Sequence, residues 1–169
     1  MEETQVIKTR RSIREYTSDT IEEEVINDIL DCARLAPTAR NVQPWLIGAV
    51  TDRGILRELG GICNTGAFIA DAAACFVVFT LCGEKYFLED GCAATMNVIT
   101  ACEVLGLGSC WVAGDKKPYA ETVRELLNVP GEYTLVALIP AGYPKERSGD
   151  KHKKGIGEVT FINTCDRKV

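Results

Sequence analysis

Arg10, Ser12 and Arg14 stand at alternating positions within Arg10-Arg11-Ser12-Ile13-Arg14. In extended backbone alternate side chains project to one side, so two guanidinium groups would flank a hydroxyl while Arg11 and Ile13 point away. Arginine matches phosphate geometry with paired hydrogen bonds, which makes this spacing a receptor for a dianionic phosphate. The plain alternative is a solvated basic strand edge. A second basic cluster, Lys145, Arg147, Lys151, Lys153 and Lys154, lies near the C-terminus and by itself reads as a surface turn.

Two further segments carry polar groups in restrained backbone. Residues 36–45, Ala-Pro-Thr-Ala-Arg-Asn-Val-Gln-Pro-Trp, hold two prolines and one of the two tryptophans. Pro37 and Pro44 restrict the loop, so Thr38, Asn41 and Gln43 can be held ready to hydrogen-bond at little ordering cost. Residues 105–114, Leu-Gly-Leu-Gly-Ser-Cys-Trp-Val-Ala-Gly, invite comparison with a dinucleotide fingerprint. That comparison fails, because Trp111 occupies the third glycine position and a helix, not a strand, comes before the loop. Ala113 and Gly114 instead end a strand with small residues, where a flat ligand can approach free backbone N–H groups.

The elements that must position these groups alternate between helical and strand-like periods. Ser18 or Thr20 can cap a helix over 21–35, stopped by Pro37. A buried strand is expected over 46–50, then a short helix capped by Asp52 and ending at Gly60-Gly61. Residues 73–81 form the strongest strand pattern. A helix over 90–105 is apolar nearly all round, so its own core or a second subunit must wrap it. A short strand over 109–112, a helix opened by Pro118 through residue 127, and a buried strand over 133–141 complete the order. Gly106 reads as a helix stop.

Composition bounds what this frame can do. With 169 residues the chain is expected to form one domain over 1–169, without repeats or linkers. The net charge of −5 argues against a general nucleic-acid partner. No stretch reads as a membrane span or an export signal, so a cytoplasmic location is expected. The eight cysteines show no CxxC pair, and the single histidine, His152, sits among lysines. Metal sites and serine triads therefore lose support, and the cysteines are expected to be reduced and mostly buried. No catalytic side-chain dyad stands out.

Taken in order, the three segments resemble the nitroreductase family of FMN-dependent flavoproteins. Arg10-Arg11-Ser12-Ile13-Arg14 resembles its phosphate motif, residues 37–45 its Pro-Ser-x-x-Asn-x-Gln-Pro-Trp loop, and residues 106–111 its Gly-Leu-Gly-Ser-x-Trp turn. The resemblance runs over about residues 8–160 and implies an α+β, three-layer α/β/α fold. Its sheet would be mostly antiparallel, with four to five strands flanked by helices. It further implies a homodimer with FMN at the subunit interface, and no metal.

By the same resemblance, Arg10 and Ser12, with Arg11 beside them, would hold the FMN phosphate, helped by Lys151 and Lys153. Arg14 would sit by the pyrimidine edge. Pro37, Thr38, Ala39 and Asn41 would come from the partner subunit, and the Gly114 N–H would face flavin N5. Ala113 stands where that turn often carries Glu, and Lys153 where the family has arginine. The implied activity is electron transfer from NADH or NADPH, through FMN, to nitroaromatics, quinones or similar small acceptors. The alternatives are a flavin-binding or electron-transfer protein without turnover, a dedicated metabolic dehydrogenase, or a flavin-degrading relative. Without the helical insertions of longer members, the site should be open.

Overall fold

The computed structural model describes residues 4–146 and 152–165. Helices α1 (Gln5–Thr9), α2 (Glu23–Arg34), α3 (Arg53–Ile62), α4 (Phe87–Val104), α5 (Ala120–Leu126) and α6 (Ile156–Val159) surround five strands. The strands are β1 (Trp45–Val50), β2 (Ala74–Leu81), β3 (Gly108–Ser109), β4 (Val112–Ala113) and β5 (Tyr133–Gly142). They lie in the order β1-β2-β5-β3, with β4 also on β5, and every pair is antiparallel.

The layering follows from the period-2 pattern of β2. Ala74, Phe76 and Val78 face a core shared with α2 and α4, including Ile29, Ala33, Ala94, Val98 and Cys102. Cys75, Val77 and Phe79 face the opposite core with Leu56, Leu59 and Val123 from α3 and α5. A strand buried on both faces must be apolar at every position, as this one nearly is. The fold is thus the α+β architecture expected, with an open five-stranded sheet.

Several boundaries differ from expectation for identifiable reasons. Neither Ser18 nor Thr20 caps α2; its cap is Glu22, in extended backbone and without a side-chain bond. Asp52 does cap α3, accepting N–H bonds from Gly54 at 2.8 Å and Ile55 at 2.9 Å. That helix runs through Gly60 and Gly61 rather than stopping there, because Gly60 serves close packing: a Cβ there would meet Ala67 O at 2.9 Å. Pro118 lies in a turn before α5, not at its first helical residue. The strand expected over 109–112 is split into β3 and β4 by Cys110 and Trp111.

Gly106 does end α4. It takes a φ of +79°, and Leu107 N donates back to Cys102 O at 2.8 Å. The chain's own core wraps one side of α4. Met96 and Val104 stay 44% and 59% exposed, and Leu35 at the end of α2 stays 63% exposed beside them. The cysteines are free but not mostly buried: Cys63, Cys75, Cys102 and Cys110 are buried, Cys92 is half-buried, and Cys32, Cys82 and Cys165 are exposed.

Candidate functional site

Residues 10–14 leave α1 in extended backbone and run beside β3. Ser12 bridges Ser109 in parallel, and Ile13 N donates to Ser109 O at 2.9 Å. Ile13 buries its side chain over Gly108, which anchors the segment and leaves the alternating residues on its other side. Arg10 and Ser12 are half-buried there, and neither side chain has a hydrogen-bond partner among the described residues. Arg14 is exposed, its guanidinium 5.7 Å from the centroid of the Phe68 ring. Arg11 turns back instead, donating to Lys8 O and Arg10 O at 3.0 Å each, so it closes the end of α1. Tyr16, its hydroxyl 2.8 Å from Ile13 O, fixes the far end of the segment.

The turn at 113–114 needs a correction. The Gly114 N–H, expected to be open, donates to Val136 O at 2.9 Å, and Asp115 N approaches the same oxygen at 3.3 Å. Ala113 is registered opposite Ala137. In an antiparallel ladder this makes them a non-hydrogen-bonded pair, so the N–H and C=O of Ala113 both turn away from β5. The Ala113 carbonyl accepts the Tyr119 hydroxyl, and its side chain is exposed. The outward N–H is therefore that of Ala113, one residue earlier than expected. Gly114 is buried, and a Cβ there would overlap the Leu135 side chain.

The loop at 37–45 is held by α4. Thr38 Oγ1 donates to Asp90 Oδ2 at 2.7 Å and accepts from Gln43 N at 3.1 Å, while Ala39 N donates to Asp90 Oδ1 at 3.2 Å. Thr38 is thus engaged within the chain rather than free for a ligand. Arg40, Asn41 and Gln43 all have left-handed φ between 53° and 57°, unusual for residues with side chains. Pro37 and Asn41 are exposed and Ala39 is half-buried. The loop's hydrogen bonds run to Asp90, Leu81 and its own residues, not to residues 10–14 or 113–114.

The structure therefore brings residues 10–14 and Ala113 to the same edge of β5, through β3 and β4, and sets residues 37–41 apart on the start of α4. Lys153 is exposed, and Lys151 lies outside the described residues. Sequence reasoning missed Phe68 and Tyr119. Phe68 was hidden in an apolar run, and Tyr119 follows the proline that was read as a helix start. Among the described residues no group of three or more His, Cys, Asp or Glu side chains could hold a metal. Burial pushes the Cys63 thiol up to about 11 and the Cys102 thiol to about 12, so neither is a ready nucleophile.

The profile of the Nitroreductase family matches residues 7–90 and 63–143. The chain belongs to the nitroreductase family. A relative from Archaeoglobus fulgidus, provisionally named an NADH dehydrogenase/NAD(P)H nitroreductase, is 36% identical over 150 residues, covering 83% of this chain and 84% of its own. Among solved structures, one of a protein of that same provisional name from Parabacteroides distasonis superposes with a TM-score of 0.88 at 28% identity, covering 95% of this chain and 96% of that one. An FMN-dependent nitroreductase from Clostridium difficile superposes at 0.84 and 28% identity, covering 94% and 98%. This nitroreductase-family chain thus covers from 84% to 98% of the length of these three proteins.

Proposed function

We infer that this chain is an FMN-dependent oxidoreductase that takes electrons from NADH or NADPH and passes them to nitroaromatics, quinones or similar small acceptors. FMN, when bound, supplies a hydride-accepting nitrogen and a ring that stores two electrons. What supports the reading most is the convergence of the Arg10–Ser12–Arg14 alternation and the outward Ala113 N–H on one edge of β5. These donors fit FMN: a cation and a hydroxyl for its phosphate, and a second cation and a main-chain N–H for its ring.

In this reading Arg10 and Ser12 bind the terminal phosphate, with Lys151 and Lys153 adding positive charge. Arg14 holds a permanent charge at the pyrimidine edge and favours the reduced, anionic ring over the neutral one. The Ala113 N–H, in place of that of Gly114, donates to flavin N5. No side chain need act as nucleophile or general acid. The protein positions, and the exposed face exchanges donor for acceptor.

The working unit we propose is a homodimer in which Pro37, Thr38, Ala39 and Asn41 of one chain wall the FMN of the other. The loop's lack, among the described residues, of bonds to its own residues 10–14 supports this, as does the apolar surface of Met96 and Val104 on α4 and Leu105 just after it. Leu35, Cys32 and the end of α4 also line an apolar groove of about 480 Å³. No helix among the described residues is long and apolar enough to cross a membrane. With its cysteines free, the chain suits the reducing cytoplasm, where we place it, as one domain over 1–169.

The test is direct. Purified protein should be yellow, release FMN and not FAD on denaturation, and bleach anaerobically on mixing with NADH or NADPH. Protein reconstituted with FMN that stays yellow with both donors would overturn the assignment.

A further inference from the structure

β4 is only two residues long, so its ladder alone is a weak clamp on the peptide groups at 112–114. One side is held by the Gly114 and Asp115 N–H groups on Val136 O. On the other side the Ala113 carbonyl leaves the ladder, and the Tyr119 hydroxyl reaches back six residues to it. Tyr119 is 6% exposed, at the cap of α5, with its ring in the core beside Val112 and Val123. The turn before residues 67–71 also brings Thr65 near the phenol, where its hydroxyl partly offsets the burial that raises the Tyr119 pKa. That turn is packed on β4: a Cβ on Gly66 would meet Val112 Cγ1 at 3.0 Å.

Within one residue of a strand, N–H and C=O point to the same side. A donor that fixes the Ala113 carbonyl therefore fixes the direction of the Ala113 N–H as well. Burial alone does not explain the hydroxyl, since phenylalanine would fill the same space in this core. We propose that Tyr119 is a positioning residue that aims the Ala113 main-chain N–H at flavin N5. This rests on the reading of the site given above. The hydroxyl itself does not touch the ring; it acts through the peptide.

The experiment uses holoprotein loaded with 15N-labelled FMN and follows the N5 resonance. A hydrogen bond moves this pyridine-type nitrogen upfield. Tyr119→Phe should shift N5 downfield. FMN affinity should stay within about twofold, because the phosphate contacts are untouched. Folded variants with an N5 resonance identical to wild type would overturn the proposal, leaving Tyr119 a purely structural role. If Tyr119→Phe fails to fold, Tyr119→3-fluorotyrosine, a stronger donor of nearly the same size, should move N5 instead, and an unchanged resonance would overturn the proposal. A wild-type holoprotein whose N5 already shows no hydrogen bond would overturn the Ala113 reading, and the proposal with it.

Discussion

Arg10→Ala isolates the phosphate contact, because the guanidinium it removes has no hydrogen bond or ion pair among the described residues. The fold should therefore be indifferent to the change, with unfolding free energy within about 0.5 kcal/mol of wild type. A charge-assisted hydrogen bond contributes roughly 1.5–3 kcal/mol, which converts to about a tenfold to hundredfold loss of FMN affinity. Arg11→Ala gives the internal control, since that side chain donates to Lys8 O and Arg10 O and faces away from the proposed phosphate. It should loosen α1 while changing FMN affinity less than about threefold. Titration of FMN fluorescence at two ionic strengths reads both effects, and the wild-type excess over Arg10→Ala should shrink with salt. An Arg10→Ala protein that binds FMN as tightly as wild type, or an Arg11→Ala protein weakened equally, would refute the division of roles.

Arg14→Ala should lower the midpoint potential of bound FMN in a dye-equilibrated titration, while weakening FMN binding less than Arg10→Ala does. Gly108→Ala puts a Cβ within 2.7 Å of Ile13 Cβ, so it should push residues 10–14 off β3. FMN affinity should then fall by more than the urea midpoint, and the opposite order would count against the anchor. Asp90→Ala strips partners from the Thr38 hydroxyl and the Ala39 N–H, and should cost about 2–4 kcal/mol in chemical denaturation. Cys63 and Cys102 keep their protons in the fold to about 11 and about 12, against 9.0 in the unfolded chain. Stability should be full below pH 9 and decline as pH rises toward those values, so a flat denaturation profile from pH 8 to 11 would contradict the burial argument.

The elements were legible where periodicity is long and unmixed. β2 and β5 could be read directly, because a strand covered on both faces must be apolar throughout. What escaped was decided by contacts distant in sequence. Gly60-Gly61 looks like a helix end, yet Gly60 is small because residues 67–70 press against it. Ser18 and Thr20 look like caps, but the helix starts later, with Glu22 at its cap. The phosphate segment could be found from alternating charge. The exact donor at 113–114 could not, since only the register of β4 on β5 tells which N–H turns outward. Tyr119 was beyond reach for the same reason: its partner lies in a strand too short to leave a pattern.

The group offered at the rim of the sheet is a backbone N–H, while the side chain it belongs to, Ala113, projects into solvent. Nineteen of the twenty amino acids carry that same N–H, and proline alone lacks it. Position 113 can therefore drift through size, charge and polarity without loss of the donor, and each new side chain would present a different wall to an incoming acceptor. Acceptor preference and electron intake are thereby separable by inheritance, so a single-codon library at this position is the shortest route to altered substrate range.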